Sequence, residues 1–268
     1  MAITTLDGAY AGMQPPRDLL KVATPTLVAG RAASLFYLSG LPGAAVAPTP
    51  GIGGAVLTTY AGQIPFTNPV SGNTYLSRLF GHASIAGSLW LCDRLWHNSG
   101  IDITSAVEQT FTASADIPAR DMNGAALGDG VFGAIEVSAA VGAGTPTLTL
   151  KYTNQAGTAD KTGTNILATA ASAAIGAFYI IGLAAGDTGV RKAQSLTLSA
   201  TWTSGTIHAV LFRVIAKLEL PLAQVGNAID ALSAGATRLY DNCVPFFLFL
   251  PSTTTASVVG GHVIWSQG

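Results

Sequence analysis

The chain has 268 residues, of which only 10% are charged and 31 are glycine, with a net charge of −1. Ordinary globular domains carry about 25% charged residues and about 7% glycine. The length allows one large or two small domains with real cores. Without a basic stripe to neutralise phosphates, nucleic-acid binding is excluded as a function class. Large uncharged faces are tolerable when they are buried between subunits, so the composition points to an assembly component.

The N-terminus, MAITTLDGAYAG, lacks the basic start and apolar core of a signal peptide. Eight of the thirteen prolines precede Val70. Pro15 and Pro16 lead into Arg17–Val22, where a short helix is expected. Ala32 to Ser77 then runs for 46 residues without Lys, Arg, Asp, Glu or His. It is too broken by Pro and Gly for a membrane helix and too apolar for a solvated linker. Such a segment lies on a surface, its own body's or a neighbour's. Residues 1–70 are therefore read as an extended Pro/Gly-rich arm ordered by contact and separable from a body over 71–268. Leu35, Phe36, Tyr37, Leu38, Leu57, Tyr60, Ile64 and Phe66 are its candidate anchors.

After the arm, short apolar or alternating runs recur between turn residues, the pattern of an antiparallel sandwich. Strands are expected at Ser88–Trp96, Glu108–Ala115, Gly130–Ala139, Thr147–Thr153 and Ala177–Leu183. Others are expected at Ser195–Thr203, Thr206–Val214, Pro245–Leu250 and His262–Ser266. The expected core is Leu89, Leu91, Leu148, Leu150, Leu196, Leu198, Trp202, Val210, Phe212 and Phe247. Leu196–Trp202, Ser204-Gly205 and Ile207–Phe212 read as a hairpin. Pro221–Ala234 has helical spacing, with Leu222, Val225, Ile229 and Leu232 on one stripe. Thr164–Gly186 matches a membrane span in length, but its small residues favour a loop and a buried strand. Crossover helices are missing, so the expected fold is mostly β: an antiparallel, jelly-roll-like β-sandwich.

The search for chemistry yields no catalytic, cofactor-binding or metal-ligating residue, so the sites and cofactors are expected to be none. His82, His97, His208 and His262 are scattered singly, and a five-residue offset in a regular strand sets Cys92 and His97 on opposite faces. Cys92 and Cys243 sit among apolar residues and read as buried free thiols, with a disulfide between them the lesser alternative. Arg120–Gly130 faintly resembles a calcium loop, but Ala125, Ala126 and Leu127 stand where ligands belong, and turn chemistry explains it. Glu108, Asp129 and Glu136 could supply a carboxylate pair for glycoside hydrolysis, as any β protein could by chance. Asp187 and Arg191 are expected to pair within their loop. Asp93 and Arg94 suit a buried network or an interface. Trp90, Trp96, Trp202 and Trp265 are either core or a sugar-stacking set.

Four blocks carry a resemblance: Leu91–Gly100 (LCDRLWHNSG), Tyr152–Thr158 (YTNQAGT), Gly186–Arg191 with Gln194–Leu198, and Val263–Gly268 (VIWSQG). In this order over about residues 74–268 the chain resembles a family of tailed-bacteriophage virion structural proteins. The resemblance implies a non-enzymatic component located in the virion and assembled in the host bacterial cytoplasm, with no nucleic-acid or membrane partner. Its partners would be the major capsid protein or other virion proteins, and copies of itself in a homo-oligomer. A capsid decoration or cement protein is the first expectation. The alternative is a tail fibre, appendage or neck protein that binds host-surface glycan.

Overall fold

In the computed structural model, residue 3 and residues 5–268 are described. Their elements begin with α1 (Leu6–Ala11), β1 (Arg17–Lys21), β2 (Ala33–Ser34), β3 (Ala55–Val56), β4 (Thr74–Ala83) and β5 (Gly87–His97). There follow β6 (Gln109–Thr110), β7 (Val131–Ala139), β8 (Leu148–Asn154), β9 (Lys161–Thr164), β10 (Phe178–Ile180) and β11 (Val190–Leu198). The chain closes with β12 (Thr206–Leu220), β13 (Asn227–Asp230), α2 (Ala231–Ala234), β14 (Arg238–Leu239), β15 (Pro245–Pro251) and β16 (Val259–Gln267). The fold is mostly β, and the strands of each sheet pair antiparallel.

A central sheet runs β10-β7-β12-β5-β15-β2, with β3 added to β5. Its strands are apolar on both faces, as strands covered on both sides must be. On one face it meets two smaller sheets. Toward one end lies β6-β11-β8-β9, where Leu148, Leu150, Leu196 and Leu198 pack with Ile135, Ile207 and Leu211. Toward the other lies β1-β16-β4-β13 with β14, where Leu79, Val263 and Trp265 pack with Leu89, Leu218 and Phe249. Burying each such side chain contributes about 1.5–3 kcal/mol, offset by the entropy of ordering the chain. All ten residues expected in the core are buried.

Residues 5–70 are mostly irregular and lie along the same body. Here β1 pairs with β16, β2 with β15 and β3 with β5. Leu35, Phe36, Tyr37, Leu38, Leu57 and Ile64 are buried, and Tyr60 and Phe66 half-buried. Lys21 is also buried, its ammonium donating to the carbonyls of Leu38 (2.6 Å) and Pro42 (2.5 Å).

Several local expectations give way to tertiary context. Arg17–Val22 is not helical: Arg17–Lys21 pairs along the edge of β16, with Leu19 opposite Gly261 and Leu20 opposite Gly260, and Leu19 and Lys21 are buried by it. The stripe over Pro221–Ala234 is not a helix either. Gln224 sits at φ 63°, breaking the turn, β13 pairs with β4, and Leu222, Val225 and Leu232 are exposed. The expected hairpin is absent, because β11 and β12 belong to different sheets. Both strands bury apolar residues in one core from opposite sides, and the connection carries fully buried Trp202 between them. Only Gln109 and Thr110 of Glu108–Ala115 are strand, while β4 was not foreseen. Over Thr164–Gly186 the chain forms the end of β9, a loop and β10; among the described residues no helix is long and apolar enough to cross a membrane.

Candidate functional site

The outer face of the central sheet, opposite the two smaller sheets, is built by alternation. It presents Phe132, Ala134 and Glu136 from β7, Val210, Phe212 and Val214 from β12, and Phe246, Leu248 and Leu250 from β15. Strand β5 adds Cys92 and Arg94, then bulges at Leu95, so that Arg94 faces Phe212 but Trp96 faces Leu211. The bulge shifts phase by one residue. It returns His97 to the face of Cys92, against the opposite-face placement that regular alternation predicts.

One part of this face is roofed by the N-terminal segment. Phe36 lies edge-on to Phe246 and stacks with Tyr60, and Tyr60 lies edge-on to His97. Beneath the roof is a polar network. The Arg94 guanidinium pairs with Glu136 at 2.6 Å, both fully buried, and lies over the Phe36 ring at 4.9 Å. Its Nε donates to His97 Nδ1, and Tyr37 donates its hydroxyl to Glu136 at 3.2 Å. His208, opposite Glu136 in register, contacts the Asn98 carbonyl through Nδ1 (2.8 Å) and the Ser138 hydroxyl through Nε2 (2.7 Å). Two histidines that are scattered in the sequence therefore meet one arginine and one glutamate.

The electrostatics favour rigidity over catalysis. Burial, then the Arg94 and His208 charges, push His97 down to about 2. Burial likewise holds His208 below the ordinary histidine range. Burial and Glu136 raise Tyr37 well above a normal phenol. Burial opposes the Arg94 cation, yet Glu136 and Tyr37 hold it above the usual range. A reacting group must reach substrate, and these side chains are enclosed.

The other candidates are dispersed into local structural contacts. Asp93 accepts from Arg120 Nε (3.1 Å) and the Val244 amide, a second buried pair. Glu108 pairs with Lys151 at 2.7 Å and accepts from Ser195. Asp129 accepts from Thr188. Arg191 pairs with Asp116 at 2.7 Å, not with Asp187, which instead accepts from Tyr152 and Asn154. Asp187 thereby anchors its loop to β8. Asp121 is buried and accepts from the amides of Asn123, Ala125, Leu127 and Gly128, which accounts for the loop by turn chemistry. Cys92 and Cys243 are buried free thiols, raised by burial. His82 and His262 flank Phe80, and His262 stacks on it. Among the described residues no three His, Cys, Asp or Glu side chains are grouped to hold a metal ion.

Beyond the roof the outer face stays open as an apolar groove of about 410 Å³, with Trp90, Phe132, Ile180 and Val214 in its lining. It continues into a recess of about 200 Å³ beside Arg31, Phe178 and Leu250, sharing Trp90, Ile166 and Ile180. Trp96, Trp202 and Trp265 are buried, whereas Trp90 is half-buried. Its indole donates to Ser88 at 2.9 Å, and the Lys217 ammonium lies 4.1 Å over its ring. Ile166 and Leu167 stand exposed on the rim. The signal available in the sequence was the two-sided apolarity of Phe178-Tyr179-Ile180-Ile181: inward residues alone account for Tyr179 and Ile181.

No protein-family model matches the chain, and no curated protein matches it. Among solved structures it is weakly similar to the infectious bursal disease virus VP2 subviral particle, with 10% identity, 96% of this chain and 81% of that chain covered, and a TM-score of 0.22. The infectious bursal virus derived T=1 particle gives 11% identity, 96% and 79% coverage, and a TM-score of 0.23. Likeness this loose establishes neither a shared fold nor a shared function.

Proposed function

We propose that the protein is a non-enzymatic structural component of a bacteriophage virion, acting as a capsid decoration or cement protein that contacts the shell and its own copies. The observation that carries the reading is the open apolar face around Trp90, Phe132, Ile180 and Val214 on a chain with 10% charged residues. A nearly uncharged surface of this kind suits burial between subunits. The four sequence blocks that resemble phage virion proteins point the same way. Each candidate carboxylate is engaged in a structural contact, which supports a non-enzymatic role. Three of four tryptophans are buried, which leaves little for the glycan-binding tail alternative. Many weak, mostly apolar contacts repeated by symmetry would supply avidity without a single strong site. The test adds recombinant protein to particles lacking it. Saturable binding at a symmetric stoichiometry supports the reading; no binding to shells, or binding to tails alone, overturns it.

A further inference from the structure

His97 lies under a loop that is tied to the sheet only at its two ends. The Leu57 amide donates to the Leu95 carbonyl (2.9 Å) and the Ile64 amide to the Pro245 carbonyl (2.9 Å). Between these anchors, residues 58–63 make no backbone hydrogen bond to the sheet among the described residues. The loop closes on itself instead: the Tyr60 amide donates to Gln63 Oε1 (2.6 Å) and the Gln63 amide to the Tyr60 carbonyl (3.2 Å). Thr58, Thr59 and Ala61 are exposed. What seats the loop is the Tyr60 ring, which stacks on Phe36 and lies edge-on to His97 at 4.7 Å. Its hydroxyl adds one bond, to the Val46 carbonyl at 3.3 Å.

The imidazole beneath has one admissible state. An arginine Nε only donates, so His97 Nδ1, 3.1 Å from Arg94 Nε, is unprotonated and the ring is neutral. A proton on Nδ1 would set N–H against N–H and place a second cation beside Arg94, with Glu136 from β7 the carboxylate that already pairs with it. The remaining neighbours offer no relief. Strand β12 brings His208 and the N-terminal segment brings Tyr37 and Tyr60, while β3 and β15 bring no titratable group. Asp93 of β5 is engaged by Arg120. Burial, with the Arg94 and His208 charges, accordingly holds His97 at about 2. We propose that residues 58–63 form an acid-opened lid, seated by the Tyr60 ring over a neutral His97 and released when His97 takes a proton. The lid is the part that moves most readily, because it gives up ring contacts and one exposed hydroxyl bond but no backbone bond to the sheet. Swung out on its anchored ends, it lets water reach the imidazole, which then titrates as an ordinary histidine.

Chymotrypsin cleavage after Tyr60 in the full-length protein reads the opening, because the ring must leave Phe36 and His97 to enter the protease's pocket. Rates are normalised at each pH to a free peptide of residues 55–66. Where cleavage is slower than reclosing, the rate follows the open population. With an ordinary histidine in the open form, the normalised rate should rise about tenfold from about pH 7.5 to about pH 5.5. His97→Gln, whose amide oxygen still accepts from Arg94 without titrating, should be cut at one normalised rate throughout. A flat wild-type profile overturns the lid, and so does a rise that survives in His97→Gln. Cleavage after the fully buried Trp96 measures global unfolding and should stay far slower than cleavage after Tyr60. Equal rates at the two sites would show the whole fold opening at once, which also overturns the lid.

Discussion

Glu136 and Arg94 show what the outer face asks of single residues. A charge in the interior is tolerable only with its partner in place, and removing one partner of a buried pair costs about 3–5 kcal/mol. Glu136→Gln should therefore destabilise the protein by about that much in denaturant titration. Glu136→Leu combined with Arg94→Met should cost less than the two single changes summed, because no orphaned charge remains. The histidines give a pH signature. His97 is held at about 2 and His208 is lowered as well, so each binds protons less readily folded than unfolded. Stability is then complete above about pH 6.5 and falls as pH drops through the unfolded-state value, by up to about 1.4 kcal/mol per pH unit for each histidine. Between about pH 6.5 and 5 the ordinary carboxylates stay ionised, which isolates the effect. Thermal melts should show that slope, and His97→Gln should shrink it; a flat profile would contradict the neutral burial of His97.

At the scale of elements, the sandwich strands were readable because their apolar residues alternate. Leu148, Leu150 and Tyr152 of β8 and Leu196 and Leu198 of β11 face one core, and their phase is set by burial alone. Partner choice was not readable. A short Ser-Gly connection after Trp202 suits a hairpin locally, but both flanking strands need the same core, which places them in facing sheets. The bulge at Leu95 was equally hidden, since nothing in LCDRLWH marks which residue is extra. The candidate groove escaped for a different reason: exposure depends on how far the N-terminal segment reaches across the sheet. Trp202 anchors the crossing between sheets, fully buried among Ile103, Leu198 and Tyr179. Trp202→Ala should lower stability by about 3–5 kcal/mol. A loss under about 1 kcal/mol would mean that the connection does not brace the two layers.

For the whole molecule, the N-terminal segment decides whether there are one or two folding units. Deleting residues 1–70 would remove β1, β2 and β3 and strip Leu35, Phe36, Leu57 and Ile64 from the cores. It would also expose the Arg94–Glu136 pair to water. We expect the truncated chain to lose its cooperative melt, and a body that melts normally would show that the segment is an added arm. The open apolar groove and the low charge fit the reading proposed above, that the protein works as a repeated part of a particle. Quantitative mass spectrometry of purified virions, with copy number scaled to the major capsid protein, tests that claim most directly. The account predicts hundreds of copies in a simple ratio to the shell subunits; absence of the protein from purified particles would contradict it.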